Sequence, residues 1–160
     1  MRQASLFPGK FKVHHGGELA RGHRKSLRPL SCKRPVHFTL KSRKRIYPFR
    51  QVVEAELKRQ AEKFHIRIYG IAVAHDHFHF VARLPSRAYY VKFIRALCGL
   101  LARKLGAKLW AELPFSRVAT WGHDFKQLLD YLAKNREEAA GARPYEPRKD
   151  WYKRHRRKSG

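Results

Sequence analysis

The chain has 160 residues, 43% of them hydrophobic, which suits one domain with a real core. Its 37 Lys and Arg against 12 Asp and Glu give a formal charge of +25, which self-repels unless a polyanion is the usual partner, so nucleic acid ranks ahead of an anionic membrane surface. No apolar run approaches the ~18 residues of a membrane span. The first residues carry no signal-peptide core. Cys32 and Cys98 lie far apart without metal-type spacing, which fits free thiols in a reducing, cytoplasmic setting.

Residues 1–34 carry nine Lys or Arg and one Glu, and residues 143–160 carry eight against two acids. Both stretches lack apolar periodicity and contain Gly, Pro and Ser. They read as basic arms, at least partly disordered until bound, around a single domain over 35–142. The arms are expected to supply affinity rather than chemistry, with Trp151 and Tyr152 available to bases or to a docking surface.

Within 35–142 the elements alternate. Positions 35–41 predict a strand with Val36, Phe38 and Leu40 on its core face and His37 and Thr39 on the other. Pro48 opens a helix to about residue 63, with Val52, Val53, Leu57 and Ala61 as its stripe. Strands follow over 65–73 and 75–84. Residues 88–105 predict a long amphipathic helix on Val91, Ile94, Leu97, Cys98, Leu101 and Leu105, stopped by Gly106. Residues 109–121 are extended, a hairpin or edge strand, and a last helix spans about 123–140. The order β-α-β-β-α-β-α fits an α+β, ferredoxin-like antiparallel sheet with helices packed on it.

Two patterns carry chemistry. In the third strand Phe78 and Phe80 point to the core, so His75, His77 and His79 share the opposite face. His77 and His79, two residues apart on a rigid strand, are placed to grip one divalent metal, with His75 peripheral. In the last helix, stepping about 100° per residue from Phe125 puts Tyr131 near 240° and Asn135 near 280°, together on one half-buried shoulder of the apolar stripe.

A strand bearing His-hydrophobic-His followed by a helix bearing Tyr131-x-x-x-Asn135 resembles the HUH tyrosine transposases. These are the single-tyrosine enzymes of small, two-hundred-like insertion sequences and their REP-associated relatives. The first strand around His37 and the stretch 109–118 also resemble the REP-associated group, and the similarity spans about 35–141. Arg136 stands where relatives usually have proline. Ala74, His75 and Asp76 stand where relatives often have Met-Pro-Asn. Neither departure removes a catalytic group.

The resemblance implies Tyr131 as nucleophile, a 5′-phosphotyrosine intermediate with a free 3′-hydroxyl, and single-stranded or hairpin DNA as substrate in a bacterial, nucleoid-associated setting. His77, His79 and the carbonyl of Asn135 would share a metal with water and phosphate oxygens. That mixed set suits Mg2+ or Mn2+, and zinc in vitro. His37 is an auxiliary candidate on the same face. Arg83, Arg87, Lys92 and Arg95 are candidate phosphate contacts, and Tyr89, Tyr90 and Trp121 are candidate stacking platforms, with core packing as their alternative. No Walker-type loop is present, in keeping with strand joining that needs no nucleotide. The competing readings are a non-catalytic single-stranded nucleic-acid binder of the same fold, a metal nuclease using water, and a domesticated transposase. Monomer and homodimer both stay open.

Overall fold

Alternation along the strands gives the sheet two chemically different faces, and the helices divide between them. The computed structural model describes residues 13–23, 26–148 and 150. Trp151 and Tyr152 lie outside the described residues. Strands β1 (His14–His15), β2 (Val36–Lys41), β3 (Arg67–Val73), β4 (His77–Arg83) and β5 (Phe115–Val118) form one sheet in the order β1-β5-β2-β4-β3, with every neighbouring pair antiparallel. Helices α1 (Arg50–Lys63), α2 (Arg87–Leu105) and α3 (His123–Ala139) pack on it. The run from β2 to β5 has the expected ferredoxin-like β-α-β-β-α-β arrangement, with α3 after it and β1 added at one edge.

One face carries the larger core. Val36, Phe38 and Leu40 of β2 and Phe78, Phe80 and Ala82 of β4 meet Val53, Leu57 and Ala61 of α1 and Phe93, Leu97 and Leu101 of α2. Each large side chain buried here contributes about 1.5–3 kcal/mol. The α2 stripe is rotated from the expected one. Tyr90, Phe93, Leu97 and Leu101 are buried, whereas Val91, Ile94, Cys98 and Leu105 are only partly buried at its margins. The large rings decide the rotation: Phe38 stacks on Phe80 at 4.9 Å and on Tyr90 at 5.4 Å.

On α1, Val52 is exposed, contrary to expectation, and Glu56 and Gln60 take buried positions instead. Arg59, Lys104 and Gln60 each donate to the Glu56 carboxylate at 2.8 Å. Burial alone would raise that carboxyl, but these donors outweigh it and hold its pKa down at about 2.

Several element ends differ from the sequence reading. His65 takes a left-handed conformation (φ 55°) in the turn before β3. β4 starts at His77, so His75 sits in the preceding turn, exposed, with its carbonyl accepting from Ile46 N at 2.7 Å. It therefore does not join His77 and His79 on the sheet. β5 is shorter than 109–121 and is not an edge, because β1 pairs along its outer side. β1 lies inside the basic N-terminal stretch. Arg28 fastens that stretch further, donating to Ser116 Oγ at 2.7 Å. Gly16 (φ 82°) makes the approach possible, since a Cβ there would lie 2.0 Å from the Pro114 carbonyl oxygen.

The second face belongs to α3. Ala72 of β3, Val81 of β4 and Ala119 pack against Leu128, Tyr131 and Leu132. Gly70 sets how closely the helix sits, because a Cβ at that position would be 3.2 Å from both Leu129 Cδ2 and Leu132 Cδ2. Gly70→Val should therefore cost about 1–3 kcal/mol by overpacking. It should also lift α3 from the sheet, read as a lower chemical-denaturation midpoint. A midpoint equal to wild type would show that the two leucines yield freely.

Candidate functional site

Four elements deliver side chains to the α3 face. β2 presents His37 and Thr39, β4 presents His77 and His79, α3 presents Tyr131 and Asn135, and β5 presents Arg117. The start of α3 is pinned to β5: Asp124 takes Arg117 at 2.9 and 3.2 Å and caps Thr120 N at 3.0 Å. That clamp and the seat at Gly70 bring Tyr131 over β4. The ring of Tyr131 meets that of His79 edge to face at 5.8 Å, and His79 meets His77 perpendicularly at 4.6 Å. Tyr131 is 7% exposed, more deeply set than the half-buried shoulder its helical angle suggests.

Each histidine of the pair is held by one nitrogen. Thr39 Oγ1 bonds His79 Nδ1 at 2.9 Å, and Asp76 Oδ1 bonds His77 Nδ1 at 2.7 Å. Both contacts leave Nε2 to face outward from its anchor. The buried Nε2 of His79 has no hydrogen-bond partner among the described residues. This is how metal-bound imidazoles are oriented, with a hydroxyl or carboxylate behind the ring. Burial first, then the proximity of the His37 and His77 rings and of the Arg148 guanidinium, holds His79 well below the ordinary imidazole pKa, in the neutral form a ligand requires. Among the described residues no three His, Cys, Asp or Glu converge on one point. The donor set therefore fits a metal only as an open site, completed by a carboxamide, water or substrate oxygens. Asn135 stands one turn beyond Tyr131. Its Nδ2 donates to the Tyr131 carbonyl at 2.7 Å, which leaves the amide oxygen for a ligand role.

His37 is 1% exposed and stacks on His79 at 5.4 Å, with neither ring nitrogen bonded among the described residues. Burial, reinforced by Arg148 and Arg117, lowers its pKa to about 3. The unfolded chain binds a proton below about 6.5 and the folded one does not, so stability is complete above that pH and falls as pH drops towards 3. Metal-free protein should lose about 1.6 kcal/mol from His37 alone between pH 6.5 and pH 5. His37→Phe, which keeps a ring and removes the titration, should flatten that slope in denaturant melts. An unchanged slope would place the acid sensitivity elsewhere.

The other candidates separate. Arg83 is exposed at the end of β4, on the histidine face. Tyr89, Arg87, Lys92 and Arg95 ride on α2 and are exposed, with the sheet between them and the histidine pair. Tyr90 is 5% exposed beneath Arg28 and belongs to the core, so it offers no face to a base. Trp121 is 45% exposed at the start of α3, braced by Phe125 at 4.9 Å and Tyr69 at 5.6 Å, with its indole N–H on the Lys33 carbonyl. It is the aromatic of this set that stands free beside the site's own helix.

Sequence reasoning did not single out Thr39 and Asp76, although both were readable as neighbours of the histidines on one face and in one turn. It also did not single out Lys134 and Arg148. Both cations approach the Tyr131 ring, at 5.6 and 5.5 Å from its centroid.

Residues 30–127 match the family described as Transposase IS200 like, which is more than half of the chain, and the chain belongs to that family. The matched segment contains His37, His77 and His79 and stops four residues before Tyr131. A solved structure of a REP-associated tyrosine transposase bound to a REP hairpin shares the fold. Its TM-score is 0.57 at 14% identity, over 71% of this chain and 72% of that one. No curated protein gives a significant match. No described helix is long and apolar enough to cross a membrane.

Proposed function

We propose that this chain cuts and rejoins single-stranded or hairpin DNA through a covalent tyrosine intermediate. The observation that carries the reading is the meeting of Tyr131, from α3, with the doubly anchored histidine pair of β4. A buried phenol beside a buried imidazole whose Nε2 has no partner among the described residues, with a second anchored imidazole 4.6 Å further on, is an arrangement that core packing does not require. Membership of a transposase family supports the same reaction class, and the hairpin held by the structurally similar protein supports the substrate class. The charge of +25 suits a polyanionic substrate.

In the reaction, Tyr131 Oη attacks the phosphorus of a DNA phosphodiester. The Oη–P bond forms and the P–O3′ bond breaks. The tyrosine proton passes to solvent, and the departing 3′ oxygen gains one to become a 3′-hydroxyl. Joining reverses these steps with another 3′-hydroxyl, so the bond energy is conserved and no nucleotide is consumed. His77 and His79, with Asn135, would hold a divalent ion, Mg2+ or Mn2+, whose role is to polarise the phosphate and neutralise its charge. Thr39 and Asp76 keep the two rings in the required orientation. Trp121, just before the N-terminal end of α3 and packed on Phe125 and Tyr69, offers a stacking surface for an unpaired base further along a bound strand.

The test is direct. The full-length protein is incubated with randomised single-stranded and hairpin oligonucleotide pools and Mn2+, then resolved on a denaturing gel. A DNA-bearing protein band that survives denaturation and depends on the metal is expected. Absence of that band with both pools would contradict the reading.

A further inference from the structure

We infer that Arg148 belongs to the active site, where its guanidinium takes the non-bridging oxygens of the phosphate that Tyr131 attacks, and that residues 143–148 form the strap holding it there. This rests on the strand-transfer reading above and goes beyond it, because composition alone assigns this basic segment to general affinity.

The strap is fastened to the nucleophile's own helix. Lys134 is 2% exposed, a depth unusual for an ammonium group. It is satisfied by donating to the Glu146 carbonyl at 2.5 Å and by pairing with Glu138 Oε1 at 3.2 Å. Glu138 Oε1 also accepts from Glu146 N at 2.7 Å. Arg143 reaches Glu137 at 3.5 Å and Glu146 at 3.9 Å. A buried charge satisfied by a single backbone carbonyl and one carboxylate is costly to release, so the return of the chain over α3 is specified. Two residues after this anchor, Arg148 lays its guanidinium 5.5 Å from the centroid of the Tyr131 ring. It is also close enough to bear on the charge states of His14, His37 and His79.

The chemistry then dictates what that position does. For attack, the phosphorus must come within roughly 3–3.5 Å of Oη. Its oxygens therefore arrive in the space around the phenol that Arg148 borders. A guanidinium is a fork matched to two phosphate oxygens, and it keeps its charge at every working pH. Charge held in place beside a reacting phosphate acts on the transition state more than on strand affinity.

The experiment uses the full chain and an oligonucleotide recovered from the randomised single-stranded pool by its covalent adduct with wild type. Single-turnover adduct formation with Mn2+ is followed over a range of DNA concentrations. The proteins are wild type, Arg148→Ala, Arg148→Lys and Arg154→Ala, the last removing the same charge further along the tail. Arg148→Ala should lower the saturating rate on the order of 10²-fold. Its half-saturating DNA concentration should change less than about threefold, because one phosphate contact among many is lost. Arg148→Lys should fall between Arg148→Ala and wild type, and Arg154→Ala should keep the wild-type saturating rate. Mn2+ binding and melting temperature should be unchanged in Arg148→Ala, which separates loss of phosphate positioning from damage to the fold. The inference is overturned if the Arg148→Ala saturating rate stays within about twofold of wild type or rises above it, a rise marking the strap as a plug. It is equally overturned if Arg148→Ala and Arg154→Ala lose only affinity, and by the same amount. Wild type forming no adduct on any pool would instead remove the strand-transfer reading itself.

Discussion

Tyr131→Phe is expected to abolish the covalent protein–DNA adduct, a loss of at least on the order of 10³-fold, while DNA binding stays close to wild type. The substitution removes one oxygen from a ring that is 7% exposed and leaves its contact with His79 and its place against Leu128 and Leu132 intact. Stability should therefore change by no more than about 1.5 kcal/mol, the range for one net hydrogen bond. Gel capture and a binding isotherm on the same oligonucleotide check both halves. Adduct at the wild-type rate would shift the nucleophile to another tyrosine. Tyr89 is the exposed alternative, yet it lies across the sheet from the histidine pair.

His77→Ala and His79→Ala should each remove metal-dependent cleavage, and the double variant should show no Mn2+ binding by calorimetry. The two rings are not equivalent. His79 is 5% exposed and lies between His37 and Tyr131, so its loss also opens a small cavity. His77 is nearer solvent and carries Asp76. Asn135→Ala should be milder, because water can replace one carbonyl ligand. The supporting pair gives a finer expectation: Thr39→Val and Asp76→Asn keep both histidines and should weaken Mn2+ binding by about 10- to 100-fold, as lost orienting partners do. Undiminished Mn2+ binding in the double histidine variant would move the metal away from β4.

Most of the fold was legible because its periodicities are local. β2 and β4 alternate cleanly, so the faces of Val36, Phe38, Phe78 and Phe80 and of His37, Thr39, His77 and His79 follow from parity alone. The shoulder of α3 carrying Tyr131 and Asn135 follows from the helical step. What the pattern hid are contacts made between distant segments. His14 and His15 form a strand only because β5 offers them an edge, and nothing in a Gly-rich basic stretch announces that partner. The α2 stripe turned because Tyr90 and Phe93 fill more volume against Phe38 and Phe80 than the aliphatic set one residue away. Nothing in the sequence sets Lys134 and Arg148 apart from the other Lys and Arg of a +25 chain. Their roles depend on the chain returning over α3, a long-range event with no signature in either segment. His75 illustrates the reverse error, since a run of alternating histidines suggested a longer strand than the turn at 74–76 allows.

Covalent bonding of Tyr131 to DNA is tested most directly by peptide mapping of the trapped adduct. Full-length protein is reacted with the oligonucleotide pool and Mn2+, the DNA is trimmed with nuclease, and the protein is digested with trypsin for mass spectrometry. Trypsin releases the segment 127–134, which holds Tyr131 and no other tyrosine. This peptide is expected to carry the nucleotide remnant, linked through phosphate to the Tyr131 side chain, and only when the metal is present. A remnant mapped to a different residue, or a 127–134 peptide that is never modified while adduct forms, would contradict it.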